Sequence, residues 1–361
     1  MIIQLHGQFE TANYGDMLLG ILFAKHLHNL GHTIMIKNAC DELYGNLDFE
    51  ILRDGKPDKM ICCGGGYLCD GNIHFSLHMM KRIFWEMGKC RIKGIPFIIV
   101  GAGSKPFVNK LTKPLMAWCI NGADSLYVRN SETKNDLLDL GIKSNIAVTA
   151  DNVMAIDEQI LNKENLIKIR NYINSVFNKR KKIVLIHLNY LALDGNQKII
   201  DGGKSLEEVV VNYANKHDEY NYIVAYDHKI AAFESQCDSL MKKLPRDRTL
   251  LMHGDSVDTV LSLIDLSDII ITTKLHVGIT GVALGKNVLS FPMHIKAKRF
   301  FKQLDDENRC MLLQECIDIE SVFKQFETYM DKNIDELAVS KAKDSAKKNY
   351  EIIENFCKTL N

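Results

Sequence analysis

Short apolar runs alternate with longer amphipathic stretches along most of this chain, and no other feature restricts its fold as strongly. "IIQL", "HTIMI", "KMICC", "PFIIVG", "SLYVR" and "IAVTAD" read as strands in the first half, with "IVLIHLN", "NYIVAYD", "TLLMHG", "DIIITT" and "NVLSF" in the second. The stretches between them carry helical periodicity: Leu19, Leu22, Phe23, Leu27 and Leu30 share a face of one helix, which Gly31 ends. Such alternation implies parallel, doubly wound α/β sheets.

A length of 361 residues is too great for one ordinary core and suggests two Rossmann-like domains. Residues 1–160 form the first and 161–333 the second, the polar stretch around 155–180 linking them. A long charged helix, 334–361, packs back on the first domain. This architecture predicts a ligand cleft between the halves, at the carboxyl ends of the strands.

Lysine plus arginine number 45 against 45 acidic residues, so no global field draws the chain to nucleic acid. The ten cysteines show no C-x-x-C pair and read as reduced thiols rather than metal ligands. His26 and His28, two residues apart on a helix, read as surface residues. "MIIQLHG" reads as a strand at once, without the charged and cleavable apolar pattern of a signal peptide, and no apolar run reaches the roughly eighteen residues of a membrane span. The expectation is a cytoplasmic protein, with peripheral contact at the inner membrane face and oligomerisation both left open.

Strand-to-helix corners hold the candidate chemistry. In "TANYGDMLLG", Asn13, Gly15 and Asp16 open the first long helix, with Gly15 admitting close approach and Asp16 as the expected cap. Gly64, Gly65 and Gly66 follow an apolar strand; so many glycines forfeit backbone entropy, and their N–H groups can cradle an anion or hydroxyl. The pattern is neither G-x-G-x-x-G nor a Walker loop, which disfavours dinucleotides and P-loop chemistry. Arg129, before a helix capped by Asn130 or Ser131, can grip a carboxylate or phosphate; pairing with Glu132 or Asp124 is an equal alternative. Asp151 reads as structural. The corner Thr273, Lys274, Leu275, His276 carries the strongest case: a helix N-terminus favours an anion, Lys274 adds charge, and His276 can move protons near neutral pH. Small residues including Gly278 and Gly281 let that helix approach its sheet.

Taken in order, "NYGD", "GGG", "VRNSET…LLDLG" leading to "TAD", and "KLHVGITGVALGKNVLSF" followed by "HIKAKRFFKQL" resemble the polysaccharide pyruvyl transferase family over about residues 10–305. That family is similar in fold to GT-B glycosyltransferases. The resemblance implies transfer of an enolpyruvyl unit from phosphoenolpyruvate to a sugar, forming a ketal in bacterial cell-surface polysaccharide synthesis. The acceptor would be nucleotide- or lipid-linked, and neither a metal nor a further cofactor is required. It makes His276 the acid/base residue and puts Lys274 on the phosphoenolpyruvate anion. Arg129, Asn13, Asp16, the glycines and Lys296 take supporting places, the first domain being the acceptor side and the second the donor side. Two positions depart from the family. Lys274 stands where Arg commonly precedes Leu-His, and His187 and Asn189 stand where an Arg often follows the first strand of the second domain. Lysine keeps the charge but not the two-pronged geometry, so another small anionic donor is an alternative. A nucleotide-sugar glycosyltransferase and a non-catalytic sugar-binding relative are the competing readings.

Overall fold

The computed structural model describes residues 1–156, 160–177, 181–190, 196–227 and 231–359. The chain divides into two compact units, Met1–Ala155 with Ala342–Asn361, and Ile156–Lys341. No described helix is long and apolar enough to cross a membrane.

The first unit begins with β1 (Ile2–His6), α1 (Tyr14–Asn29), β2 (Thr33–Met35), α2 (Asp41–Gly45) and β3 (Ile51–Leu52). It continues through β4 (Lys59–Cys62), β5 (Gly65–Leu68), α3 (Ile73–Ile83), α4 (Lys89–Lys93) and β6 (Phe97–Ser104). The elements α5 (Lys113–Ile120), β7 (Ser125–Val128), α6 (Ser131–Leu140) and β8 (Ile146–Val148) complete its wound sheet. Strands run parallel in the order β3-β2-β1-β4-β6-β7-β8, with β5 pairing β6 beside that path. The order reverses between β1 and β4, the switch point of a doubly wound sheet.

Two strands escape the sequence pattern. Strand β3 is two residues long, too short for any periodicity. Strand β5 is Gly-Gly-Tyr-Leu, so Gly65 and Gly66 lie in a strand rather than a loop. Glycine is a poor strand former, and only the neighbouring edge of β6 organises these residues.

Helix α1 departs from the one-faced expectation: Tyr14 through Ala24 are all buried, while Leu30 is exposed. Helix α14 (Glu336–Lys358) covers the side that would otherwise meet water. Phe23 and His26 of α1 contact the Tyr350 ring, and His26 Nε2 lies 3.4 Å from Glu354, so His26 is not a free surface residue. His28 stacks on Phe49 with ring centroids 3.9 Å apart. A buried lysine closes the far end: Lys59 Nζ donates to Phe356 O and Thr359 O at 2.6 Å each, neutralising the carboxyl end of the helix. Asn349 Nδ2 donates to Ala150 O at 3.0 Å and Asn152 Oδ1 at 2.5 Å.

The second unit contains α7 (Lys163–Val176), β9 (Lys182–His187), α8 (Gln197–Lys216), β10 (Tyr220–Tyr226) and α9 (Ala231–Met241). Then come β11 (Thr249–His253), α10 (Val257–Leu266), β12 (Ile269–Thr272), α11 (Leu275–Ala283), β13 (Asn287–Ser290), α12 (Lys296–Gln303) and α13 (Ile319–Tyr329). Five parallel strands take the order β11-β10-β9-β12-β13, with the switch between β9 and β12. The polar stretch read as a linker largely becomes α7, whose Ile169 and Ile173 are buried within this unit. The expected start of α9 at Ile230 lies outside the described residues.

Arg309 is the largest fully buried side chain. It donates to Asp306 at 2.7 Å, to Asn287 Oδ1 at 2.6 Å and to Lys332 O at 2.7 Å, tying the strand β13 to the segment after α13. Burying a guanidinium is tolerable only with its donors satisfied in this way.

Candidate functional site

In the second unit, three strands end at one group of polar side chains. Strand β9 ends at His187, with Asn189 two residues beyond; β10 is followed by Asp227; β12 is followed by Thr273 and Lys274. Thr273 N–H donates to His187 O at 3.1 Å, prolonging the β9–β12 register past the end of β12. Asn189 N–H donates to Thr273 Oγ1 at 2.9 Å, which fixes the turn after β9.

Asp227 is the hub. Asn189 Nδ2 donates to its Oδ1 at 2.6 Å, and the same oxygen lies 3.7 Å from His187 Nε2 and 3.8 Å from Lys274 Nζ. Asp227 and His187 side chains are each 1% exposed, Lys274 17%. The Lys274 ammonium is thus held electrostatically at a distance beyond hydrogen-bond reach, so Asp227 does not consume its donors.

Helix α11 starts here. Its N-cap is Lys274, which offers no side-chain acceptor to the first-turn N–H groups. His276 is half-buried in that first turn, and its carbonyl accepts from Thr280 Oγ1 at 2.7 Å. Gly281 brings the helix onto the sheet: a Cβ there would meet Ile270 Cδ1 at 2.5 Å. A positive helix end, an ammonium and an imidazole therefore share one corner, backed by a buried carboxylate. Such a corner can hold an anion and exchange a proton with it. Lys296 opens α12 and is half-buried.

The other sequence candidates lie in the first unit. Asn13, rather than Asp16, caps α1, its Oδ1 accepting from Gly15 N–H at 3.1 Å; Asp16 is buried in the first turn. Asn130 caps α6, accepting from Thr133 N–H at 2.8 Å. Arg129 is 5% exposed and donates to Asp151 Oδ2 at 2.8 Å.

Around that pair the glycines acquire a steric reason. A Cβ on Gly103 would meet Arg129 Nε at 2.4 Å, one on Gly101 would meet Asn152 Nδ2 at 2.3 Å, and one on Gly64 the same atom at 3.1 Å. Gly101 and Gly65 also hold φ of +70° and +116°. The glycines thus make room for a buried network of Arg129, Asp151, Asn152 and Asn349.

Asp227 was the residue missed from sequence. Its position just past a central strand of the sheet, like that of Lys274, was the available signal.

Comparisons with known proteins add a family and a fold. The polysaccharide pyruvyl transferase family model matches residues 13–294. No curated protein matches the sequence. Among solved structures, UDP-GlcNAc 2-epimerase from Neisseria meningitidis, bound to UDP-GlcNAc, is similar at a TM-score of 0.66 and 12% identity, covering 99% of this chain and 100% of that one. The enzyme of the same name from Methanocaldococcus jannaschii gives 0.64 and 15%, covering 98% and 100%. Spinosyn rhamnosyltransferase, complexed with spinosyn aglycone, gives 0.54 and 10%, covering 99% and 100%. The chain therefore has the GT-B-like fold of two Rossmann-like domains.

Proposed function

Because the chain belongs to the polysaccharide pyruvyl transferase family, we propose that it transfers the enolpyruvyl unit of phosphoenolpyruvate to two hydroxyls of a sugar, closing a ketal and releasing phosphate. The observation that carries this reading is the corner at the switch point of the second sheet, where Lys274 and His276 open α11 above Asp227.

Protonation of phosphoenolpyruvate at C3 converts the methylene to a methyl group and leaves C2 electron-poor. One sugar hydroxyl adds to C2 and loses its proton, the C2–O bond to phosphate breaks, and a second hydroxyl closes the ring with loss of its proton. His276 is the group assigned to deliver the C3 proton and to accept one from a hydroxyl. Lys274 and the first-turn N–H groups take the anion, and Asp227 keeps the ammonium in place. Thr273 and Leu275 shape the same turn, and Lys296 adds charge at the start of α12. Arg129, committed to Asp151, serves by holding the backbone around Gly103, and Asn13, Gly15, Asp16 and Gly64 to Gly66 are the supporting residues of the first unit. A nucleotide- or lipid-linked sugar of a cell-surface polysaccharide is the acceptor this reading names.

The test is phosphate release from phosphoenolpyruvate in the presence of acceptor sugars. Release that requires acceptor and is abolished in a folded His276→Ala variant supports the reading; full activity of that variant overturns the role of His276.

A second reading has its own support in the fold likeness to an epimerase bound to UDP-GlcNAc. On that reading the anion corner takes the diphosphate of a nucleotide sugar. Thermal stabilisation by UDP, GDP or CDP but not by phosphoenolpyruvate would favour it. Acceptor-independent silence toward both donors, with sugar binding retained, would leave a non-catalytic relative.

A further inference from the structure

The first unit holds a cavity of about 250 Å³ at the carboxyl ends of β1 and β2. Gln4, His6 and Gly7 form one wall, Lys37 follows β2, and Lys81 and Arg82 project from α3. None of these residues belongs to the corner or to the glycine network described above.

One of its walls comes from an unusual helical turn. Between α3 and α4 the helix takes a π-helical turn, Phe84–Gly88, and this turn supplies Trp85 and Glu86 to the cavity. Such turns are rare, and they occur frequently at functional sites. Gln4 Nε2 donates to Glu86 Oε2 at 2.5 Å, and burial pushes the Glu86 carboxyl up. His6 is 7% exposed, and among the described residues its Nε2 has no hydrogen-bond partner.

The charge and shape narrow the occupant. Arg82 is held by Gly7 O at 2.5 Å and by Glu10 at 3.6 Å, whereas Lys37 and Lys81 stand exposed at the rim. Trp85 is 47% exposed, with Lys89 Nζ 3.5 Å from its ring centroid. An aromatic surface suits the C–H face of a pyranose, the Gln4 amide and the half-buried Glu86 carboxyl suit hydroxyls, and the rim lysines suit an anion. Drug-sized sites run from about 300 Å³ upward, so a cavity of this volume suits a single ring.

We propose that this cavity binds one acidic sugar residue, a pyranose bearing a carboxylate or a phosphate. Calling it the acceptor subsite rests on the pyruvyl transfer reading; the binding itself does not.

The test is calorimetric titration of the full chain, without phosphoenolpyruvate, using glucuronate, glucose 6-phosphate and glucose as probes. At least one acidic sugar is expected to bind tenfold or more tightly than glucose, and which one binds identifies the carboxylate or the phosphate as the anion. The Lys37→Gln/Lys81→Gln double variant, altered only at exposed positions, should keep its thermal midpoint and lose the preference. Trp85→Ala should weaken every sugar that binds. Equal affinity for glucose, no binding of either acidic sugar by the folded chain, or a double variant that binds as wild type overturns the proposal. With no donor in the assay, failure here leaves pyruvyl transfer standing, and absent phosphate release leaves this site standing.

Discussion

Lys274 Nζ lies 3.8 Å from Asp227 Oδ1, although the two residues follow different strands of the second sheet. The carboxylate is buried and the ammonium only partly so, which makes Asp227 a fixed anchor and Lys274 the partner that reaches outward. An ammonium is a point charge, and neutralising it removes one anion contact while Asn189 still donates to the buried Asp227 carboxylate. Lys274→Gln is therefore expected to raise KM for phosphoenolpyruvate by on the order of tenfold or more, about 1.4 kcal/mol of binding. Steady-state kinetics would read the effect, and an unchanged KM would remove Lys274 from the donor site.

Arg129 and Asp151 form the buried pair of the first unit, with side chains 6% and 3% exposed. Removing the guanidinium takes away the cation that lies 2.8 Å from a carboxylate in a low-dielectric interior. Arg129→Met should cost about 3–5 kcal/mol in urea unfolding, while Arg129→Met with Asp151→Leu should recover much of that loss. A single variant that unfolds like wild type would show that the pair does not support the core.

His6 supplies a pH dependence. Burial, followed by the Arg82 charge, pushes its imidazole down to about 3. Between the ordinary histidine value and about 3 the unfolded chain binds a proton that the native chain does not, so stability rises with pH across that window. The contribution is fully present above about pH 6.5 and drains as pH falls toward 3, by at most about 1.4 kcal/mol per pH unit. His6→Asn should flatten that part of the stability profile, and the wild-type His6 ring resonance should not titrate between pH 8 and 5. A midpoint near 6.5 would contradict the assignment.

Gly101 and Gly31 separate two costs of glycine replacement. Both hold positive φ, +70° and +81°, but a Cβ on Gly101 would meet Asn152 Nδ2 at 2.3 Å while nothing lies within 4 Å of one on Gly31. Gly31→Ala should lose about 1 kcal/mol, a backbone effect alone. Gly101→Ala should lose a further 1–3 kcal/mol from overpacking. Equal losses in thermal or urea unfolding would mean that Asn152 yields freely.

Much of the architecture was legible because period and punctuation are local. Apolar runs marked most strands, Gly31 marked where α1 stops, and the Lys-Leu-His corner was visible as a charged turn after a strand. The Gly-Gly-Tyr-Leu strand β5 was not legible, since its own propensity argues for a loop and only its pairing with β6 overrides it. Asp227 was equally silent: an Asp after a strand is common, and its meaning comes from Asn189, His187 and Lys274 arriving from other strands.

The sequence by itself determined the alternation of strands and helices, hence two parallel sheets, and it placed Lys274 and His276 at the start of a helix. Only the tertiary structure decided the partners of the buried polar groups. Arg129 meets Asp151, Lys59 meets the last carbonyls of α14, and the glycines clear space for Asn152 and Arg129. The physical reason is range. Propensity and periodicity act between residues near in sequence, whereas a buried charge or amide must find its partner wherever packing delivers one, here up to 300 residues away.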